Sequence, residues 1–145
     1  MQLFKLAILP LMLLTLLNAC STQPKTTLYQ QLGGQAGINT LTDKFIERIG
    51  HDKQILPFFA ATKISYFRTQ FALHLCAISD GPCQYNGDTL AQIHTGMAIK
   101  HSDFNRVVEL LVAAMDDAKI AQRAQNQLLA RLAPMRKDVM YPQQQ

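Results

Sequence analysis

Apolar residues recur along this chain at the three- and four-residue intervals of a helix, and five such stripes can be followed. Ile38, Leu41, Phe45, Ile46 and Ile49 share one face of a helix that Gly33-Gly34 precedes and Gly50 ends. Ile64, Phe67, Phe71, Leu75 and Ile78 make a second face, which stops at Gly81-Pro82. Leu90, Ile93, His94 and Met97 give a shorter one after a cap at Asp88 or Thr89. Ser102 is placed to cap a longer helix with the stripe Phe104, Val107, Val108, Leu111 and Met115. Leu128, Leu132, Met135 and Val139 form the last stripe, bent by Pro134. No segment alternates apolar and polar residues over strand length, and Asn86-Gly87 has no such alternation beside it to make a hairpin. The pattern predicts one all-α domain, the most that 145 residues comfortably hold.

The N-terminal end reads differently. Lys5 is followed by the apolar run from Leu6 to Leu17, broken only by Pro10 and Thr15. As a helix that run spans about 18 Å, too short for a bilayer core of about 30 Å. It has the charged start and apolar middle of a secretory signal, and Leu17-Asn18-Ala19-Cys20 resembles the lipobox of bacterial lipoproteins at Leu17, Ala19 and Cys20. This resemblance implies a signal peptide over 1–19, lipid on Cys20, a polar tether over 20–27, a domain over 28–141 and a disordered tail over 142–145. An ordinary signal peptide with Cys20 incidental is the competing reading. Lipidation implies the bacterial cell envelope, with Ser21 favouring the outer membrane and a domain facing the periplasm.

Export changes how the three cysteines read. If Cys20 carries lipid, Cys76 and Cys83 remain as a pair that an oxidising compartment can join, worth about 2 kcal/mol for so short a loop. Two free thiols are the alternative. The formal net charge of +4 is too small and too scattered to point to nucleic acid.

One stripe carries chemistry. His94 lies on an apolar face, where a ring must find either a hydrogen-bonding neighbour or a metal. Both readings stand on the residues alone. There is no Cys-x-x-Cys-His, which excludes covalent c-type haem, and no grouping of ligands suited to zinc. His94, Met97 and His101 at i, i+3 and i+7 give an alternative of another class, a copper-handling periplasmic lipoprotein.

The order of features is more specific than any piece. Leu28-Tyr29-x-x-Leu32-Gly33-Gly34, Phe45, Pro57-Phe58-Phe59, Gly81-Pro82 with Tyr85-x-Gly87, Ile93-His94-x-Gly96-x-x-Ile99 and Asp103-Phe104 together resemble the truncated haemoglobins, group 1 in particular. The resemblance runs from about Leu28 to Met140. It implies a two-over-two helical sandwich around a b-type haem (iron protoporphyrin IX) that binds oxygen, nitric oxide or carbon monoxide for transport or sensing.

By the same resemblance His94 is the proximal iron ligand. Phe59 packs on the porphyrin and Phe58 beside it is core. Phe67 and Phe71 face the iron from the distal side, and Ile46 stands where many members carry a tyrosine that hydrogen-bonds oxygen. Leu90, Ile99, Phe104, Val107 and Leu111 complete the wall, and Arg68, Tyr85 or Lys100 reach the propionates. Gly96 fits a bend or a close approach to the macrocycle. His51 and His101 are expected at the surface, and His74 is expected to point away from the iron.

With Ile46, Phe67 and Phe71, the distal face is expected to lack a hydrogen-bond donor, which speeds oxygen release by about an order of magnitude. A rotation of that helix bringing Gln70 or Tyr66 inward would reverse the expectation. Nitric oxide dioxygenation and a peroxidase-like side activity share the fold. Turnover would need an electron donor, and the chain carries no flavin or nicotinamide motif.

Overall fold

Thr27 opens the first helix in the computed structural model, which describes residues 26–141. The expected signal, the expected lipidation site Cys20, nearly all of the expected tether, and the expected tail therefore lie outside the described residues. The Thr27 hydroxyl accepts from the Gln30 N–H and the Gln30 side chain returns to the Thr27 N–H, so even the short α1 (Leu28–Gln31) is capped on both counts. The chain then turns through Gly33 and Gly34, with φ of 90° and 64°. Both values lie in the left-handed region where a Cβ is penalised, so the paired glycines let α2 start abruptly.

The longer elements follow the apolar stripes. They are α2 (Gly34–His51), α3 (Ile64–Ile78), α4 (Leu90–His94), α5 (His101–Asp117), α6 (Gln122–Leu132) and α7 (Arg136–Met140), with 3-10 turns at Leu56–Phe59 and Ala133–Met135. No strand occurs among the described residues. Ile38, Leu41 and Phe45 of α2, Leu75 and Cys76 of α3, Leu111 and Met115 of α5, and Leu128 of α6 meet in one core. α2 packs on both α3 and α5, and α7 packs back on α4.

Four boundaries differ from the sequence reading. α2 runs through Gly50 to His51 and stops at Asp52, whose Oδ1 accepts from the Gln54 and Ile55 N–H groups at 3.0 and 2.9 Å. The other Asp52 oxygen takes Arg106 Nε at 2.7 Å, so this buried carboxylate holds α2, the following turn and α5 together. α5 begins at His101 and not at a Ser102 cap, because Asp103 Oδ2 accepts the Lys100 N–H at 2.9 Å. Pro134 sits in the 3-10 turn that separates α6 from α7, a break rather than a bend. Lastly α4 ends at His94, and Gly96 (φ 80°) and Ala98 (φ 50°) turn the chain before α5.

That last break removes the copper alternative. His94, Met97 and His101 do not share a helical face, and His101 is exposed, paired through Nδ1 with Arg136 at 2.7 Å. Among the described residues no group of three His, Cys, Asp or Glu side chains could hold a metal ion. Gly96 takes a φ of 80°, which a bend requires, and a Cβ there would meet no protein atom within 4 Å.

Cys76 and Cys83 are joined as a disulfide, with Cα atoms 5.8 Å apart. The bond ties the last turn of α3 to the segment that leads to Tyr85. The packing of this corner is tight, since a Cβ on Gly81 would lie 2.6 Å from Cys76 Sγ and 2.7 Å from the Tyr29 ring.

Candidate functional site

A cavity of about 300 Å³ opens between α2, α3, α4, α5 and the C-terminal turn. Its wall is built mainly from the apolar stripes. Leu90, Ile99, Phe104, Val107 and Leu111, expected at the site, all line it, as do Phe59, Phe67 and Phe71. Phe58, expected to be core, lines it as well, because the 3-10 turn at Leu56–Phe59 presents both rings.

Four phenylalanines form a continuous aromatic surface. The Phe45 and Phe71 rings stack at 5.1 Å, Phe71 and Phe67 stack at 5.4 Å one helical turn apart, and Phe67 meets Phe59 edge-on at 5.0 Å. Each such contact adds about 1 kcal/mol beyond burial, and together they line the cavity with a continuous apolar surface.

α2 reaches the cavity through Phe45. Ile46, one residue on, is half-buried and does not line it. The helical period explains the difference, because Ile38, Leu41, Thr42, Phe45 and Ile49 already fill the inward face and Ile46 falls at its margin. Arg68 is also directed elsewhere, gripping Asp43 through Nε and Nη2 at 2.5 and 2.8 Å. Lys100 does not line the cavity, whereas Tyr85 does, with its hydroxyl donating to the Asp88 carbonyl at 2.7 Å. Arg136 lines the cavity with its guanidinium 5.0 Å from the Phe104 ring centre. Nothing in the periodic pattern marked it.

His94 is the polar group of the α4 wall. Its helix begins with a capping box, Thr89 Oγ1 accepting from the Gln92 N–H while the Gln92 side chain accepts from the Thr89 N–H. One turn later His94 Nδ1 lies 2.7 Å from the Leu90 carbonyl. A carbonyl only accepts, so Nδ1 carries the hydrogen and Nε2 holds the free lone pair. Burial holds the His94 pKa below its ordinary 6.5, against the opposing pull of the Leu90 carbonyl. A neutral ring with a fixed tautomer and one free nitrogen is the state a metal ligand requires.

The α3 wall is not wholly apolar. Gln70 and His74, which the sequence did not place at the site, line the cavity together with Phe67 and Phe71. Positions 67, 70, 71 and 74 are spaced i, i+3, i+4 and i+7, so they form one helical face and turning Phe67 and Phe71 inward brings Gln70 and His74 with them. Gln70 Oε1 and His74 Nε2 are buried without a hydrogen-bond partner. The polar residues on this face gave no hydrophobic signal, which is why the stripe alone did not include them. His51, by contrast, is exposed as expected.

The residues present fit an iron porphyrin. The cavity supplies a continuous apolar, aromatic lining and a neutral histidine with its tautomer fixed.

Residues 27–141 match the bacterial-like globin family. The group 1 truncated haemoglobin of Nostoc sp. is 32% identical over 90 residues, covering 62% of this chain and 76% of that protein. The group 1 truncated haemoglobin of Tetrahymena thermophila is 25% identical over 114 residues, covering 79% and 94%. Among solved structures, the truncated haemoglobin of Tetrahymena pyriformis in its Fe(III) form superposes with a TM-score of 0.76 at 23% identity, covering 79% of this chain and 98% of that one. The 2/2 haemoglobin of Synechococcus sp., in the cyanomet state and with covalently attached haem, does so with a TM-score of 0.74 at 19% identity, covering 79% and 98%.

Proposed function

We propose that this chain, which belongs to the bacterial-like globin family with its two-over-two helical fold and haem cofactor, holds a b-type haem through His94 Nε2 and takes up a diatomic gas at the iron's opposite face. The observation that carries the reading is the 2.7 Å contact from His94 Nδ1 to the Leu90 carbonyl inside an aromatic-walled cavity. It fixes the tautomer so that Nε2 is the nitrogen left to coordinate. His94 would hold the haem, and the iron so held would supply the site for reversible binding of oxygen, nitric oxide or carbon monoxide.

The protein's own part is to hold the ring, exclude water and shape the pocket. Phe45, Phe59, Phe67 and Phe71 supply the apolar contact for the macrocycle, and Phe104, Val107 and Leu111 close it from α5. Exclusion of water would strengthen any hydrogen bond made inside.

We further propose that the domain works outside the cytoplasm, tethered by lipid at Cys20. The support is the sequence Leu17-Asn18-Ala19-Cys20 together with the Cys76–Cys83 bond, a linkage favoured in an oxidising compartment. Gas storage, delivery or sensing at the envelope is the role these features suit best.

Absorption spectra of the purified domain in the oxidised, reduced and carbon monoxide-bound states test the haem reading, with His94→Ala alongside. A Soret band that shifts with carbon monoxide in the wild type and is lost or altered in the variant is expected. Absence of any Soret band after reconstitution would overturn the reading. Radiolabelled palmitate on the wild type and none on Cys20→Ser is the matching result for the tether.

A further inference from the structure

The C-terminal wall of the cavity is held in place by contacts that depend on one proton. Leu132, Met135, Arg136 and Val139 line the cavity from the end of α6, the turn after it and α7. α7 has five residues, too few for a helix to persist by its own hydrogen bonds. It packs on α4, while Arg136 that opens it and Tyr141 that follows it both reach a single side chain, His101 at the start of α5. Arg136 Nη2 lies 2.7 Å from His101 Nδ1, and the Tyr141 hydroxyl lies 3.3 Å from His101 Nε2.

A guanidinium carries only N–H donors and keeps its charge at any pH a folded protein meets. His101 Nδ1 therefore accepts, the ring is neutral, and its one hydrogen sits on Nε2, which donates to the Tyr141 oxygen. A second proton, placed on Nδ1, removes the acceptor and sets a cation against Arg136. The charged groups around the ring do little to offset it. Lys137 lies one turn before Tyr141 on α7, Lys100 directly precedes His101, and α4 carries no Asp, Glu, Lys or Arg. Asp103 already accepts the Lys100 N–H and the Gln54 amide at 2.9 Å each, and Asp138 of α7 is not paired with His101. Arg136 carries the effect to the cavity, because its guanidinium stands 5.0 Å from the Phe104 ring centre in the cavity wall.

We propose that His101, Arg136 and Tyr141 form an acid-released clasp on the cavity. With His101 neutral the clasp holds α7 against the cavity; with His101 protonated α7 is let go, and haem enters and leaves faster. This rests on the haem reading above, but the fastening of α7 belongs to the empty domain as well, so the two can fail separately. Histidine changes charge between about pH 5 and about pH 8, and that is the range in which haem retention varies.

Hydrogen exchange of the haem-free domain tests the clasp by itself. Protection factors of the α7 amides are expected to fall between about pH 8 and about pH 5.5, in step with protonation of His101 followed by NMR. They should stay level in His101→Gln, whose amide is a neutral acceptor and donor that does not titrate. Haem transfer to excess apomyoglobin is the readout of the loaded domain. Acidification over the same range should speed transfer from the wild type by on the order of 5-fold more than from His101→Gln. His101→Leu, which can neither accept nor donate, should release haem quickly at both ends of the range. Any acid effect on His94 is common to the wild type and His101→Gln, so the difference between them isolates the clasp. Equal acid acceleration in those two proteins overturns the proposal, as does α7 protection that ignores His101 protonation or slow release from His101→Leu at the higher pH. A wild type with no Soret band overturns the haem reading instead, and the exchange of α7 then decides the clasp alone.

Discussion

His94 and His74 line the same cavity, both are half-buried, and burial lowers the pKa of each. They differ in what the backbone does for them. The Leu90 carbonyl takes the Nδ1 hydrogen of His94 and so fixes which nitrogen is free, whereas His74 Nε2 has no partner and its ring is braced only by the edge of Tyr85. The lesson is that burial alone does not make a histidine a ligand. A short helix that ends at the residue, with its carbonyl one turn back aimed at the ring, sets the tautomer and direction that coordination needs. A histidine in mid-helix on a broad aromatic face keeps the capacity to donate a hydrogen bond instead.

The largest effect should come from breaking the oriented member of the pair. His94→Ala is expected to lower haem affinity by at least about 100-fold, more than the 10- to 100-fold that follows loss of a supporting partner. Haem titration followed at the Soret band checks it, and an unchanged affinity would count against His94 as the ligand.

Removing the aromatic floor beside His74 comes next. Phe71→Ala deletes the ring shared by Phe45 and Phe67 and should destabilise the domain by about 3 kcal/mol. Chemical denaturation of the apo and haem-loaded forms would show it, and His94 should still coordinate, because α4 does not depend on that stack.

Reduction of the Cys76–Cys83 bond, or Cys83→Ser, should cost about 2 kcal/mol and be visible as a lower melting temperature under reductant. It should also loosen the segment that carries Tyr85, so His74 is disturbed more than His94. Equal melting temperatures with and without reductant would contradict the expectation.

The smallest effect is a pH slope. His74 has a lowered pKa in the folded state, so between the ordinary 6.5 and that lower value the unfolded chain binds the proton more readily, and stability falls as pH drops below 6.5. His74→Phe should flatten this part of the apo-protein's stability profile. Asp52 works lower on the scale: Arg106 holds its pKa down, so its contribution is full above the unfolded carboxylate value and is lost as pH falls through the folded one. Asp52→Asn should flatten only that acid limb.

Much of this was legible in the chain. The α3 stripe of Phe67, Phe71 and Leu75 and the α5 stripe of Val107, Leu111 and Met115 place helices by apolar spacing, and both elements form along those stripes. What spacing could not resolve was the width of each buried face. Thr42 is fully buried while Ile46 sits at the margin, a choice made by the rotation of α2 and not by hydrophobicity. Gln70 and His74 carry no apolar signal, so their place in the cavity follows only once Phe67 and Phe71 are fixed inward. Arg68 was drawn off by Asp43, a partner 25 positions away that no local pattern reveals. The role expected of His94 came from the resemblance, whereas the reason for it, the Leu90 carbonyl, needed the helix to be seen ending there.

The contrast between the two histidines is tested most directly by the spectrum of the reduced, ligand-free haem complex of His94→Gly, with and without added imidazole, beside His74→Phe. The account predicts that His94→Gly loses the five-coordinate histidine-bound spectrum and regains it with imidazole, while His74→Phe keeps the wild-type spectrum throughout. Retention of that spectrum in His94→Gly, or its loss in His74→Phe, would contradict the account.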